Sequence, residues 1–181
     1  DHLLDAAKTM HRPALSIAGA TKIVPVLKEA AARVAGRHDV QDDCISINVE
    51  KELEDVFVQG READIEIVFR NLIDNAVKYS LPEPVVDVTA DVTKKNRVLV
   101  RVADNGPGIP VADRGHVFRR FVRLGSELER ATPGTGLGLF LVKSIVKQLR
   151  GRVLVKGRLA KQGTIIEVDL PKANSTEDTP R

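Results

Sequence analysis

Apolar residues recur every three or four positions in three stretches of the chain and at alternate positions in about six others. The first helical pattern covers residues 21–36, "TKIVPVLKEAAARVAG". Thr21 is placed to cap it, Pro25 falls in its first turn and Gly36 is placed to end it. A longer helix is expected over about 61–79, stopped by "SLPEP", and a third over 136–151, ending at Gly151. "CISINVE" (44–50) alternates like a strand, with "DVFVQG" (55–60) as its partner. "PVVDVTADV" and "RVLVRVA" flank the turn "TKKN", and "RVLVKGRL" with "GTIIEVDL" makes a further hairpin. Residues 1–20 read as the end of a preceding helical region and a linker, residues 21–171 as one domain, and residues 172–181 as a disordered tail. Strands in adjacent pairs with helices between the pairs predict an α+β fold. Its expected form is a two-layer sandwich with a mixed sheet covered on one face by helices.

Composition changes this picture little. An apolar share of 43% over 181 residues supports a proper core. No apolar run reaches the length of a membrane span, and the start does not read as a signal peptide. The single Cys44 excludes a disulfide framework or a multi-cysteine metal site and reads as a small core or near-core residue. The net charge of +3 is spread along the chain, with a knot at Arg119, Arg120 and Arg123. Aromatics make up 3% and Trp is absent, which argues against a nucleic-acid partner.

The chemistry gathers on the long helix. Ile65, Phe69, Leu72, Ile73 and Ala76 share one side and are expected to face the sheet. Asn71, Asn75 and Lys78 share another side. Asparagine is a poor helix former, because its amide competes for backbone hydrogen bonds, so two of them at a spacing of four ask for a reason. Two glycine-rich stretches supply one. "DNGPGIP" (104–110) follows directly on a strand, and "PGTGLGL" (133–139) opens a helix. Glycine lets the backbone approach a ligand closely, and a helix N-terminus offers unpaired N–H groups to phosphate. The spacing is neither that of a dinucleotide-binding turn nor that of a P-loop.

In this order the segments resemble the ATP-binding domain of bacterial sensor histidine kinases, in the superfamily that includes DNA gyrase, mismatch-repair and heat-shock-chaperone ATPases. "NLIDNAVKYS" is similar to the asparagine box, "DNGPGIP" to the first glycine box, "FRRF" (118–121) to the phenylalanine box and "GTGLGL" to the second glycine box. The resemblance covers roughly residues 21–171 and implies a Bergerat-type ATP-binding fold with ATP and Mg²⁺ as ligands. It implies that Asn75 is the metal ligand, that Asn71 and Lys78 lie by the phosphates and that Tyr79 lies beside the adenine. It implies that Asp104 accepts a hydrogen bond from the adenine amino group. Gly106, Gly108, Ile109, Thr135, Gly136, Leu137, Gly138 and Leu139 complete the expected nucleotide site. Residues 110–134 become a lid, with hinges at Gly115, Gly125 and Gly134. Arg119, Arg120 or Arg123 is either a γ-phosphate contact or part of a solvated cluster; Arg119 stands among the expected ATP-binding residues. Phe118 and Phe121 are spaced to share one helical face.

Position 71 separates two chemistries. In the hydrolytic relatives a glutamate stands there and activates water; an amide cannot act as a base. Transfer of the γ-phosphate is therefore expected rather than rapid hydrolysis, although Asp64, Glu66 and Asp74 on the same helix leave a substitute base open. None of His2, His11, His38 and His116 stands in an acceptor-like context, and all four read as structural or surface residues. The acceptor histidine is thus expected on a helical domain outside this chain, and the chain reads as a fragment. The expected partners are that domain and a response regulator. The fragment is expected to be monomeric and cytoplasmic, the whole protein homodimeric and anchored in the inner membrane in one version. Alternatives are a serine kinase of the anti-sigma type and a module that binds nucleotide only to gate contacts.

Overall fold

The computed structural model describes residues 19–123, 135–158 and 162–173, with only the backbone at Asp42. Its strands are β1 (Ala20–Lys22), β2 (Ile45–Val49), β3 (Phe57–Gln59), β4 (Val86–Val92), β5 (Arg97–Ala103), β6 (Arg152–Gly157) and β7 (Thr164–Ala173). Its helices are α1 (Ile23–His38), α2 (Glu62–Lys78) and α3 (Gly138–Gln148). The sheet runs β1-β3-β7-β5-β4-β2, with β6 also paired to β7. The pair β2–β4 is parallel and the others are antiparallel, so the sheet is mixed. All three helices lie on one face. The α+β two-layer expectation holds.

Alternation along the central strands creates the two faces. Val88, Val102 and Ile166 stand in register across β4, β5 and β7, as do Ala90, Val100 and Val168. All six point under the helices and are buried. The opposite face carries charge. Arg97 meets Asp169 at 2.7 Å, Arg101 meets Glu167 at 3.2 Å and also Asp91, and Lys156 meets Glu167 at 2.8 Å. The hydrophobic side of α2 closes the core: Ile65, Phe69 and Ile73 are 0% exposed. Glu62 and Asp64 in the first turn of α2 complement the positive end of its dipole.

Several local expectations give way to tertiary structure. Residues 44–50 and 55–60 are not partners. β2 pairs in parallel with β4, whereas β3 joins β1 and β7 at the other end of the sheet. A parallel pair needs a long crossover, and α2 between β3 and β4 supplies it. Thr21 does not cap α1. It lies in β1, and its hydroxyl donates to the Gly60 carbonyl at 2.7 Å. α1 runs through Gly36 to His38, and Asp39 takes the left-handed conformation (φ 51°). At the end of α3 that role falls to Arg150 (φ 56°) rather than Gly151. Cys44 sits in a short 3₁₀ turn before β2, half-buried and with a free thiol. β7 continues to Ala173, two residues beyond the expected domain end. The remainder of the expected tail and the expected leading helical region, with His2 and His11, lie outside the described residues.

Phe69→Ala should lower stability by about 3–5 kcal/mol, the range for emptying a large buried aromatic site. Asp91→Ala on the charged face should cost under about 1 kcal/mol. Urea midpoints with an unchanged denaturant slope check both.

Candidate functional site

α2 turns its polar stripe away from the sheet into a cleft roofed by the start of α3. Two adjoining cavities fill that cleft. One, of about 400 Å³, is lined by Asn71, Asp74, Asn75 and Lys78 of α2, by Arg37 and His38 of α1, and by Thr135, Gly136 and Gly138. The other, of about 500 Å³, is mainly apolar, lined by Ala76, Val102, Ile109 and Ile166 with Asp104 among them. Asn75, Tyr79, Val117, Val122 and Leu139 border both. The result is one elongated site with a polar end and an apolar end.

Asn71 is 3% exposed and donates its amide N–H to the Ile67 carbonyl at 2.7 Å. Its oxygen faces α3: a methyl group on Gly138 would come within 3.0 Å of it. Gly138 therefore lets the first turn of α3, with its unpaired N–H groups, settle beside the asparagines. Desolvation depresses the Lys78 ammonium below its ordinary range; Arg123 adds to this and Asp74 opposes it. Its Nζ lies 5.5 Å from the centre of the Tyr79 ring.

At the apolar end Asp104 is 8% exposed. Its Oδ1 accepts from the Gly106 N–H at 2.9 Å and from the Thr164 N–H at 3.0 Å. Burial pushes its carboxyl above the usual range, against the two backbone hydrogen bonds, the Arg158 charge and the Thr164 hydroxyl. The β6–β7 connection grips Asp104 from behind. Arg158 donates to its carbonyl at 3.1 Å, and Gly163 lies so close that a methyl group there would sit 1.9 Å from that same oxygen. Gly163, Thr164 and Arg158 escaped the sequence reading, although "QGT" at the head of a strand is a visible signal.

The described part of the expected lid forms a series of turns over residues 111–121. Phe121 donates its N–H to the Gly136 carbonyl at 3.0 Å, which ties the phenylalanine box to the second glycine box. Gly136 needs its φ of +69°, and a methyl group there would lie 2.9 Å from the Phe121 backbone. Phe118 and Phe121 do not share a helical face. Phe118 is buried, whereas Phe121 has φ 61° and is 70% exposed. Gly125 and Gly134 lie outside the described residues.

Of the remaining expected residues, Gly108 lines the apolar cavity, Gly106 acts through its hydrogen bond to Asp104, and Leu137 is buried beside the cleft. Arg119 is exposed and lines neither cavity. Its neighbour Arg120 lies over the Phe140 ring at 4.5 Å, and Arg123 lines the apolar end. Among the acids weighed as bases, Asp64 is paired with Arg61 at 2.8 Å and Glu66 with Arg70 at 3.1 Å, both away from the cleft. Asp74 lines the polar end beside Arg37 and His38, two residues the sequence did not single out for the site.

A two-ended cleft of this kind invites comparison with known proteins. Residues 60–174 match the family of histidine kinase-, DNA gyrase B- and HSP90-like ATPases. The chain belongs to that family. Its relatives lie among the sensor histidine kinases. It is 33% identical over 117 residues to the sensor histidine kinase RppB of Synechocystis, an alignment covering 65% of this chain and 25% of RppB. It is 34% identical over 140 residues to the sensor protein kinase WalK of Staphylococcus saprophyticus, covering 77% of this chain and 23% of WalK. The chain thus spans about a quarter of the length of these relatives. Among solved structures it is similar to the mycobacterial sensor histidine kinase MprB, with a TM-score of 0.70 and 28% identity over 85% of this chain and 97% of that one. It is also similar to full-length ShkA in complex with AMPPNP, with a TM-score of 0.75 and 26% identity over 96% of this chain and 35% of that one. The chain is a catalytic ATP-binding domain of this histidine-kinase kind.

Among the described residues no helix is long and apolar enough to cross a membrane. Nor do the described His, Cys, Asp and Glu residues form a cluster that could cage a metal. The oxygens at the polar end fit a hard cation that keeps phosphate and water in most of its shell, as Mg²⁺ does.

The raised carboxyl of Asp104 sets a pH dependence. The folded state favours the neutral acid, so this group's contribution to stability is full below the ordinary value of 3.8 and is lost as pH rises through the folded-state value. Asp104→Asn keeps an oxygen for Gly106 and Thr164. It should raise the melting temperature of the ligand-free domain at neutral pH, with the gain vanishing in acid. Thermal melts of both proteins over a pH series check this.

Proposed function

We propose that the cleft binds Mg-ATP with adenine at the apolar end and the phosphates at the polar end, and that the domain donates the γ-phosphate to a histidine on a separate helical domain. The observation that carries this reading is Asp104, the one carboxylate lining an apolar cavity that adjoins a chamber of amides, cations and a helix N-terminus. An ionised Asp104 accepts from the adenine amino group; guanine presents an oxygen there and would face the carboxylate unpaired. Tyr79 and Ile109 flank the base, and Gly108 lets the backbone come close to it. Thr135, Gly136 and Gly138 with the first N–H groups of α3 cradle phosphate oxygens, and Lys78 adds a point charge. Asn75, with Asn71 beside it, would hold Mg²⁺, which supplies neutralisation of phosphate charge.

Phosphoryl transfer needs positioning and charge stabilisation more than covalent help from the protein. An imidazole nitrogen of the acceptor attacks the γ-phosphorus, the bond to the β-γ bridging oxygen breaks, ADP leaves and the imidazole releases its N–H proton. Asn71 provides no base for an attacking water, so transfer outruns hydrolysis. Phe121, exposed beside the cleft, is placed to meet the partner domain. The phosphate then passes to an aspartate of a response regulator, and the whole protein acts as a homodimer.

Asp104→Asn should weaken AMPPNP binding about tenfold, the equivalent of one hydrogen bond to a charged group. Asn75→Ala should remove the advantage that Mg²⁺ gives AMPPNP over adenosine. Calorimetry with and without metal reads both. Mixing the domain with a detached helical domain bearing a phosphorylatable histidine and labelled ATP should yield acid-labile label. Tight ATP binding with no transfer would leave a gating module in place of a kinase.

A further inference from the structure

A carboxylate inside a triphosphate chamber poses an electrostatic problem. Asp74 lies in the polar cavity next to Asn75 and is 8% exposed, so water screens it poorly. Unopposed, its charge would repel phosphate oxygens and compete with them for Lys78 one helical turn away. It is not unopposed. Its Oδ1 accepts from Arg37 Nη1 at 3.1 Å and meets His38 Nε2 at 3.1 Å. Both partners come from the last turn of α1, which brings two side chains to one oxygen of another helix. The other charged groups of the cleft are Lys78, which feels Asp74, and Asp104 and Arg123 at the apolar end.

The geometry points to the last turn of α1 as part of the phosphate site: Arg37 neutralises Asp74 and His38 helps to hold it, so that the chamber accepts a triphosphate. They act as positioning residues through Asp74. In their absence the carboxylate would be left buried beside the phosphates, the costly case of a charge stripped of its partner. The effect should grow with the number of phosphates on the ligand and leave adenosine, which ends at the other cavity, almost untouched. This inference rests on the cleft being the Mg-ATP site proposed above.

The test is calorimetry on the whole chain with adenosine, ADP and AMPPNP, each with Mg²⁺, at low and high salt. Arg37 is partly exposed (41% of its side chain), so Arg37→Ala should weaken AMPPNP about threefold to tenfold. Adenosine should change less than about twofold, and the AMPPNP deficit should shrink as salt rises. Adding Asp74→Asn to Arg37→Ala should restore AMPPNP affinity to within about twofold of the parent, and Asp74→Asn alone should bind AMPPNP at least as tightly as the parent. Arg37→Lys, which keeps the charge, should stay near the parent. Equal losses for adenosine and AMPPNP, or no restoration by Asp74→Asn, would overturn the inference and reduce the cluster to a helix tie. If Arg37→Ala fails to fold, Asp74→Asn still decides, because weaker AMPPNP binding by that variant overturns the idea. A parent that binds no AMPPNP overturns the nucleotide site itself, an outcome distinct from all of these.

Discussion

The close approach of α2 and α3 at Asn71 and Gly138 is the constraint on which the cleft depends. α2 must bury Phe69 and its neighbours against the sheet, which fixes its rotation. That rotation sends Asn71, Asn75 and Lys78 to the opposite side. The start of α3 lies close on that side because Gly138 has no side chain to crowd Asn71. One helix thereby serves two solvents, an apolar core on one face and a chamber for anions on the other.

The second anchor is Asp104. A buried carboxylate is costly unless its oxygens are paired, and here the pairing comes from two distant parts of the chain. Its own turn supplies the Gly106 N–H, and the head of β7 supplies the Thr164 N–H. Gly163 and Arg158 press on its carbonyl. The carboxylate is held by these contacts before any ligand arrives, so little ordering cost would remain for the adenine recognition proposed above. Its ionisation sacrifices some stability of the ligand-free domain, a usual trade at binding sites.

The same reasoning holds for charge at the polar end. Cations outnumber anions there, and the one acidic residue, Asp74, is engaged by α1. An all-cationic chamber would hold phosphates and resist their release. A balanced one leaves the difference to the ligand and its metal.

How far the sequence reaches can be seen residue by residue. The period of Ile65, Phe69, Leu72 and Ile73, the alternation of "VDVTADV" and "RVLVRVA", and the order of the glycine-rich stretches are local properties. Periodicity and backbone freedom act over a few residues, so α2, the two hairpins and the polar stripe of the cleft were legible. Pairing between distant strands is not local, and β2 therefore found β4 rather than β3. Cap preferences gave way too, because pairing with β3 places Thr21 in β1, where its hydroxyl donates to the Gly60 carbonyl. Arg37, His38 and Arg158 carry no periodic or motif signal, and the "QGT" that contains Gly163 and Thr164 marks the head of a strand but not what it packs on. Their roles arise only when a helix end or a hairpin is folded against a carboxylate from elsewhere. The sequence by itself determined the elements and the chemistry on α2 and its glycine turns. Which charges surround that chemistry was decided by the tertiary structure alone, because electrostatic partners are chosen by distance in space, and the chain sets that distance only once the sheet has closed.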